Sequence, residues 1–402
     1  MKLPRYVKNC IEKLNAAGYS AYAVGGAVRD SLLGVEPSDW DVTTSALPEE
    51  IMLVFQEEHT IPTGIKHGTI TVVFDGDDGT RIPVEITTYR IDGEYRDSRH
   101  PESVNFSKDV SDDLSRRDFT INAMAYNETD GIIDVFGGIV DLENRIVRAV
   151  GEPEKRFSED ALRILRAFRF SAQLGFEIEE KTLDGAKKCS HLLKNIARER
   201  IGVEFRKLLS SCGVVYSLEK IIENNIWNEL FDVSVPDKSI ITRLSDISNG
   251  SFETRLAVLL SDFDKAAVCE LLDSLRLSND EKKLVIRLCS VKSFEVSGEN
   301  LEREARLFLH CYSDILSLAS EVLKFYFRNA DEFLKIVEIE SQKKRPLSIS
   351  DLEVKGSDIL PMCQSDYKLV GLTLKMLLSH VIENPELNKK EKLIEIAKKS
   401  LQ

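Results

Sequence analysis

The sequence predicts an α+β chain: a mixed head around a small sheet, carrying a remainder that is helical throughout. Three observations lead there. Short β-branched runs broken by turns fill residues 1–150. From about Ser158 onward, apolar side chains recur at helical spacing instead. At 402 residues the chain is too long for one ordinary core, so roughly two to four domains are expected.

Taken in order, Val7, Ile11 and Leu14 give the opening segment a helical stripe. Tyr22-Ala23-Val24 reads as a strand running into Gly25-Gly26, after which a helix resumes. Residues 69–74 and 83–89 flank a Gly-Asp turn at 76–79, which makes a hairpin. Residues 121–126 and 132–135 are further short extended or buried pieces. Beyond them the helical period runs through Leu162, Leu165, Phe168, Ile201, Phe205 and Leu208. It persists over 256–272, 284–288, 307–323 and 369–382, and Pro346 breaks a polar run at 343–350.

Hydrophobic residues at 43% and charged residues at 30% describe a soluble globular protein rather than a membrane or disordered one. The first twenty residues lack a basic-then-apolar signal pattern, and no apolar run of about 18 residues is present to span a bilayer. Seven scattered cysteines without a CxxC pair suit neither a disulfide framework nor a zinc site, and point to a reducing cytoplasm. The net charge of −13 argues against nucleic acid at first sight. Its distribution argues otherwise: residues 155–210 hold 13 Lys/Arg against 8 Asp/Glu, a local +5 that leaves −18 elsewhere. Such a segment holds a polyanion locally, although a solvated helix surface has the same composition.

The chemistry concentrates in the head. Gly25-Gly26 between strand and helix lets backbone approach a phosphate, and Arg29 adds charge-assisted bonds to a triphosphate. Asp39 and Asp41, two apart in an extended segment, share a face while Trp40 points away, which suits Mg²⁺ with its preference for hard oxygen ligands. Glu85, amid Val84, Ile86 and Thr88, is a third acid that permits a two-metal arrangement. Alone, the glycine pair is more often a turn and the DxD a surface acid pair, while Glu85 is as readily the solvent face of an edge strand.

The string GGAVRD, the DWD eight residues later, RRDFTINAMAY at 116–126 and EDALRILRAFRF at 159–170 together resemble the class II tRNA nucleotidyltransferase and bacterial poly(A) polymerase family. The resemblance covers at least residues 22–210. It implies a polymerase-β-like nucleotidyltransferase head at 1–150, then helical neck (151–212), body (213–342) and tail (343–402) in a seahorse-like arrangement. It implies Asp39 and Asp41 as metal ligands with Glu85 completing the triad, and two Mg²⁺ ions. It implies Gly26 and Arg29 as triphosphate contacts, and Arg117 and Asp118, supported by Asn122, as contacts to phosphate and ribose.

One helix bearing Glu159, Asp160, Arg163, Arg166 and Arg169 presents steps of three on one face. An Asp accepts from the amino group of cytosine or adenine, and an Arg donates to a ring nitrogen or carbonyl. By resemblance Asp160 and Arg163 read the base and Glu159 fixes Arg163, with Arg166 and Arg169 beside them. The expected activity is template-independent addition of CCA to the tRNA 3′ end from CTP and ATP. Residues 90–101 resemble the flexible loop of full CCA-adding enzymes, with His100 as a loop hydrogen bonder. Residues 197–201 with Glu204 resemble the last neck motif, read as structural. Residues 349–352 and 356–360 resemble the tRNA-binding tail, although the expected Pro-Lys-Gly before the next helix is replaced by residues 367–371. The rival readings are poly(A) polymerase, an A-adding tRNA enzyme, a small-molecule nucleotidyltransferase, and a catalytically silent RNA-binding protein.

Overall fold

The computed structural model describes residues 1–76, 79–93, 104–247, 250–364 and 366–401. They form two compact units, one of residues 1–245 with 265–277 and one of 246–264 with 278–402.

The first unit holds the sheet. Helix α1 (Arg5–Ala16) buries Val7, Cys10, Ile11 and Leu14, one stripe at helical spacing. Strand β1 (Ala21–Val24) is buried at all four positions and leads through Gly25 into α2 (Gly26–Leu32). β2 (Asp41–Thr44), α3 (Pro48–Val54), β3 (His59–Gly64), β4 (Thr69–Asp75) and β5 (Arg81–Thr88) follow. β4 and β5 are the expected hairpin, and in each the apolar residues alternate inward: Ile70, Val72 and Phe74, then Val84 and Ile86. β6 (Arg90–Asp92) and β7 (Val104–Phe106) make a separate two-stranded ribbon. After α4 (Val110–Ser115), β8 (Ala125–Asn127) and β9 (Gly131–Ile133) complete a sheet of order β3-β4-β5-β2-β1-β8-β9. It is mixed because β2 and β5 pair in parallel, whereas the other neighbours are antiparallel.

From here helices dominate: α5 (Gly138–Glu143), β10 (Ile146–Val147), α6 (Pro153–Glu159), α7 (Leu162–Leu174), β11 (Glu177–Ile178), α8 (Glu180–Cys189), α9 (Arg198–Leu209), α10 (Val214–Glu223), α11 (Trp227–Leu230) and α12 (Lys238–Thr242). The single helix expected over 159–169 is two. Asp160 is extended between them (φ −142°, ψ 102°). Its side chain accepts from the Leu162 N–H (3.1 Å) and its carbonyl from the Arg163 N–H (3.0 Å), so it caps α7 rather than continuing α6. α7 ends at Gly175, whose φ of +67° is the left-handed cap that glycine adopts without strain.

The helical run at 256–272 also divides, into α13 (Phe252–Leu259) of the second unit and α14 (Lys265–Ser274) of the first. The segment following α14 serves α9: a Cβ added at Gly202 would meet the Leu275 carbonyl oxygen at 2.4 Å.

The second unit continues with α15 (Asn279–Cys289), α16 (Leu301–Tyr312), α17 (Leu316–Tyr326), α18 (Ala330–Gln342), α19 (Gly356–Ile359), α20 (Tyr367–Glu383) and α21 (Lys390–Ser400). The run at 307–323 breaks at residues 313–315, where Asp314 turns out to meet Arg287 in a two-pronged pair (2.7 Å each). Phe294, Phe308, Tyr312 and Phe333 form one aromatic cluster, Phe308 meeting Phe294 and Phe333 edge-on and Tyr312 at a tilt, and Leu377, Val381, Ile359 and Leu393 pack in another. No helix among the described residues is long and apolar enough to cross a membrane.

Candidate active site

The parallel pairing of β2 with β5 places Asp41 opposite Glu85, while β1 on the other side places Val24 opposite Asp41. Trp40 is buried, whereas Asp39, Asp41 and Glu85 are exposed, as the two-residue period of extended chain requires. Water reaches Asp41, yet protein crowds it. Its carboxyl is pushed up to about 6, first by that crowding against the partial relief of Arg117, then by the charges of Glu85 and Asp39. Asp39 takes a hydrogen bond from the Ser38 hydroxyl (3.0 Å). Among the described residues, no three acid, imidazole or thiol groups stand close enough together to hold a metal ion as they lie. The donor set still fits a hard divalent cation: oxygens alone, mutually repelling, on one open face.

Beside the acids lies the glycine turn. Gly25 has φ +77°, and a Cβ there would lie 2.9 Å from Nη1 of Arg117. Arg117 is carried by Asp113, a wholly buried carboxylate that the sequence reading passed over. Asp113 accepts two bonds from Arg116 (2.9 and 2.7 Å), one from Arg117 (3.3 Å), and one from the Thr43 hydroxyl (3.2 Å). Burial alone would raise this carboxyl, but Arg116 and Arg117 outweigh it and hold it below the usual range. The signal for it was present: an acid three and four residues before two arginines faces both on a helix.

Arg29, Asn122 and Asp118 are brought together, but below the surface. Arg29 is 8% exposed and donates to Asn122 Oδ1 (2.6 Å) and to Asp30 (2.8 Å). Asn122 donates in turn to Asp118 (3.0 Å), which also takes the Phe119 N–H and two bonds from Arg166 (2.8 and 2.5 Å). Asp118 thus has four donors already. A Cβ added at Gly26 would lie 3.6 Å from Nη2 of Arg29.

On the helical side, Glu159 accepts from Arg163 (3.0 Å) and from Arg156 (2.7 Å), and the first is the contact that a fixing role would use. Arg163 also donates to the Arg116 carbonyl (2.9 Å), next to Arg117, which ties α7 to the acidic face. Asp160 is paired with Arg200 on α9 (2.9 Å), a partner that the sequence reading treated only as part of a structural motif. Arg169 turns inward to Glu204 (2.6 Å) and Gln173 (2.7 Å). The expected flexible loop lies largely outside the described residues, since 94–103, including His100, are not among them.

The chain is similar to known proteins in both sequence and fold. The family model for the Poly A polymerase head domain matches residues 21–148, and that for the "Probable RNA and SrmB- binding site of polymerase A" matches 175–236. The CCA-adding enzyme of Ligilactobacillus salivarius is 38% identical over 98% of this chain and 95% of its own. That of Enterococcus faecalis is 34% identical over 97% and 94%. Among solved structures, the Bacillus stearothermophilus CCA-adding enzyme in complex with CTP superposes with a TM-score of 0.82 at 29% identity, covering 100% of this chain and 98% of that one. The Thermotoga maritima CCA-adding enzyme complexed with tRNA_CCA shares the fold, with a TM-score of 0.68 at 21% identity over 100% and 97%.

Proposed function

The chain belongs to the CCA-adding enzyme family, with a poly(A) polymerase head, and from that premise we propose which of its side chains perform the transfer. The enzyme adds C, C and A to the 3′ end of tRNA, taking them from CTP and ATP. Nucleotidyl transfer in this family uses divalent metal ions.

Our reading is that Asp41 and Glu85, with Asp39 swinging from Ser38, hold two Mg²⁺ ions. When bound, the ions supply charge stabilisation at the attacking 3′-oxygen and the leaving pyrophosphate. Arg117, poised at the Gly25 turn, meets triphosphate oxygens, and the turn brings backbone N–H groups close to them. Gly26, Arg29, Asn122 and Asp118 support that turn from beneath. Asp160 and Arg163 read the base, the carboxylate accepting from the exocyclic amino group and the guanidinium donating to ring nitrogen or carbonyl. Glu159 and Arg200 aim these two. Arg166 and Arg169 act through their buried carboxylate partners. In this reading residues 151–212 are the base-selecting neck and 343–402 the tRNA-binding tail. Cytoplasmic residence is part of the same proposal, on the strength of seven free cysteines.

The observation that carries it is the register of Asp41 against Glu85 beside Arg117. The test offers tRNAs ending before, within and after CCA, with each nucleotide supplied separately. Two C additions, one A and then arrest are expected. A long A tract, or action only on tRNA already ending in CC, would overturn it. Arg163→Glu should change which nucleotide is used more than the metal-dependent rate, and unchanged selectivity would remove Arg163 from base reading.

A further inference from the structure

Phe170 on α7 is marked by the sequence only as an apolar helix position. In the fold it is 5% exposed and stands amid three guanidinium groups. The central carbon of Arg169 lies 3.7 Å from the ring centroid, that of Arg29 5.1 Å and that of Arg166 5.3 Å. Phe119 meets the ring edge-on (5.7 Å, 79°) and fixes its plane. Three cations round one ring repel one another. Asp30, Asp118 and Glu204 balance them from outside, Glu204 meeting both Arg169 (2.6 Å) and Arg166 (3.7 Å).

Arg29 and Arg166 are therefore joined twice, once through Asn122 and Asp118 and once across the ring. Arg29 underlies the glycine turn. Arg166 follows Arg163 on the same helix. We propose that Phe170 is a positioning residue for nucleotidyl transfer: its ring locks the phosphate-side Arg29 to the base-reading helix, so that both ends of one nucleotide are held in a single frame. The inference rests on the reading of the glycine turn and Arg163 given above. An aliphatic side chain fills much of the same space but lacks the ring quadrupole that attracts cations.

Steady-state kinetics and thermal melting test it on the full chain. Phe170→Leu should raise KM for both CTP and ATP about tenfold, and reduce the preference over UTP and GTP by a similar factor, with kcat within about threefold. Phe170→Tyr, which keeps the ring, should restore both to within about twofold. If Phe170→Leu lowers the melting temperature but moves neither KM nor preference, the ring is packing alone and the proposal fails. It fails also if Phe170→Tyr is as impaired as Phe170→Leu. Should Phe170→Leu not fold, Phe170→Met poses the same question with a closer volume. Arg163→Glu separates the two levels. Changed nucleotide choice there, with normal KM and preference in Phe170→Leu, sinks only the coupling, whereas unchanged choice in Arg163→Glu sinks the base-reading site on which it rests.

Discussion

Asp41 and Glu85 face each other across the parallel pairing of β2 and β5, two carboxylates held side by side at the centre of the head sheet. Crowding by protein, against the relief of Arg117, and the charges of Glu85 and Asp39 push the Asp41 carboxyl up to about 6. A group whose folded pKa is raised favours the fold below its ordinary pKa, and that contribution is lost as pH rises through the folded value. Asp41→Asn should therefore raise the melting temperature of metal-free protein at about pH 7.5 and leave it nearly unchanged at about pH 4. Incorporation should fall by roughly 10³-fold or more. Melting curves at the two pH values, beside a tRNA extension assay, decide it. A destabilised variant at neutral pH would contradict the crowding argument.

Asp118 has the opposite sign. Burial would raise its carboxyl, but Arg166 and Asn122 more than offset this and hold it well below the usual range. Its contribution is present at neutral pH and is lost as pH falls below about 4. Asp118→Asn should cost about 2–3 kcal/mol, less than a fully buried pair because Arg166 keeps 32% of its side chain exposed. Denaturant titration at neutral and acid pH should show the deficit shrinking as acid is approached.

Gly25→Ala combines two faults. Its φ of +77° strains any L side chain, and the new methyl displaces Nη1 of Arg117 from 2.9 Å. Nucleotide KM should rise about tenfold with tRNA KM unchanged. A KM increase for tRNA alone would place the turn elsewhere in the reaction.

Arg200→Ala leaves Asp160 without its aiming partner. Misincorporation of U or G, read by sequencing extended tRNA ends, should increase about tenfold while total nucleotide transfer falls less. Equal loss with every nucleotide would make Arg200 a structural residue only.

The sequence made some of this visible and hid the rest for physical reasons. Strand alternation exposed the hairpin, and the DWD spacing put Asp39 and Asp41 on one face with Trp40 inside. The register that brings Glu85 to Asp41 is a long-range fact that no local pattern contains. The helix break at Asp160 was hidden because an Asp within an otherwise helical run reads as a surface position until its side chain is seen to cap the next turn. The inward turn of Arg166 and Arg169 was hidden likewise, since periodicity locates a face but not what lies opposite it. Asp113 could have been found, because its spacing to Arg116 and Arg117 is local.

The interleaving of the two units bears on how the chain is made. The first unit is not finished at Ser245: it still needs residues 265–277, among them the Leu275 backbone that covers Gly202 on α9. A protein truncated after Ser245 would leave that helix bare on one side, so cutting there yields an incomplete catalytic half rather than a minimal one. During synthesis the residues of that half are complete only once Leu277 has left the ribosome, after residues 246–264 of the other unit have already emerged.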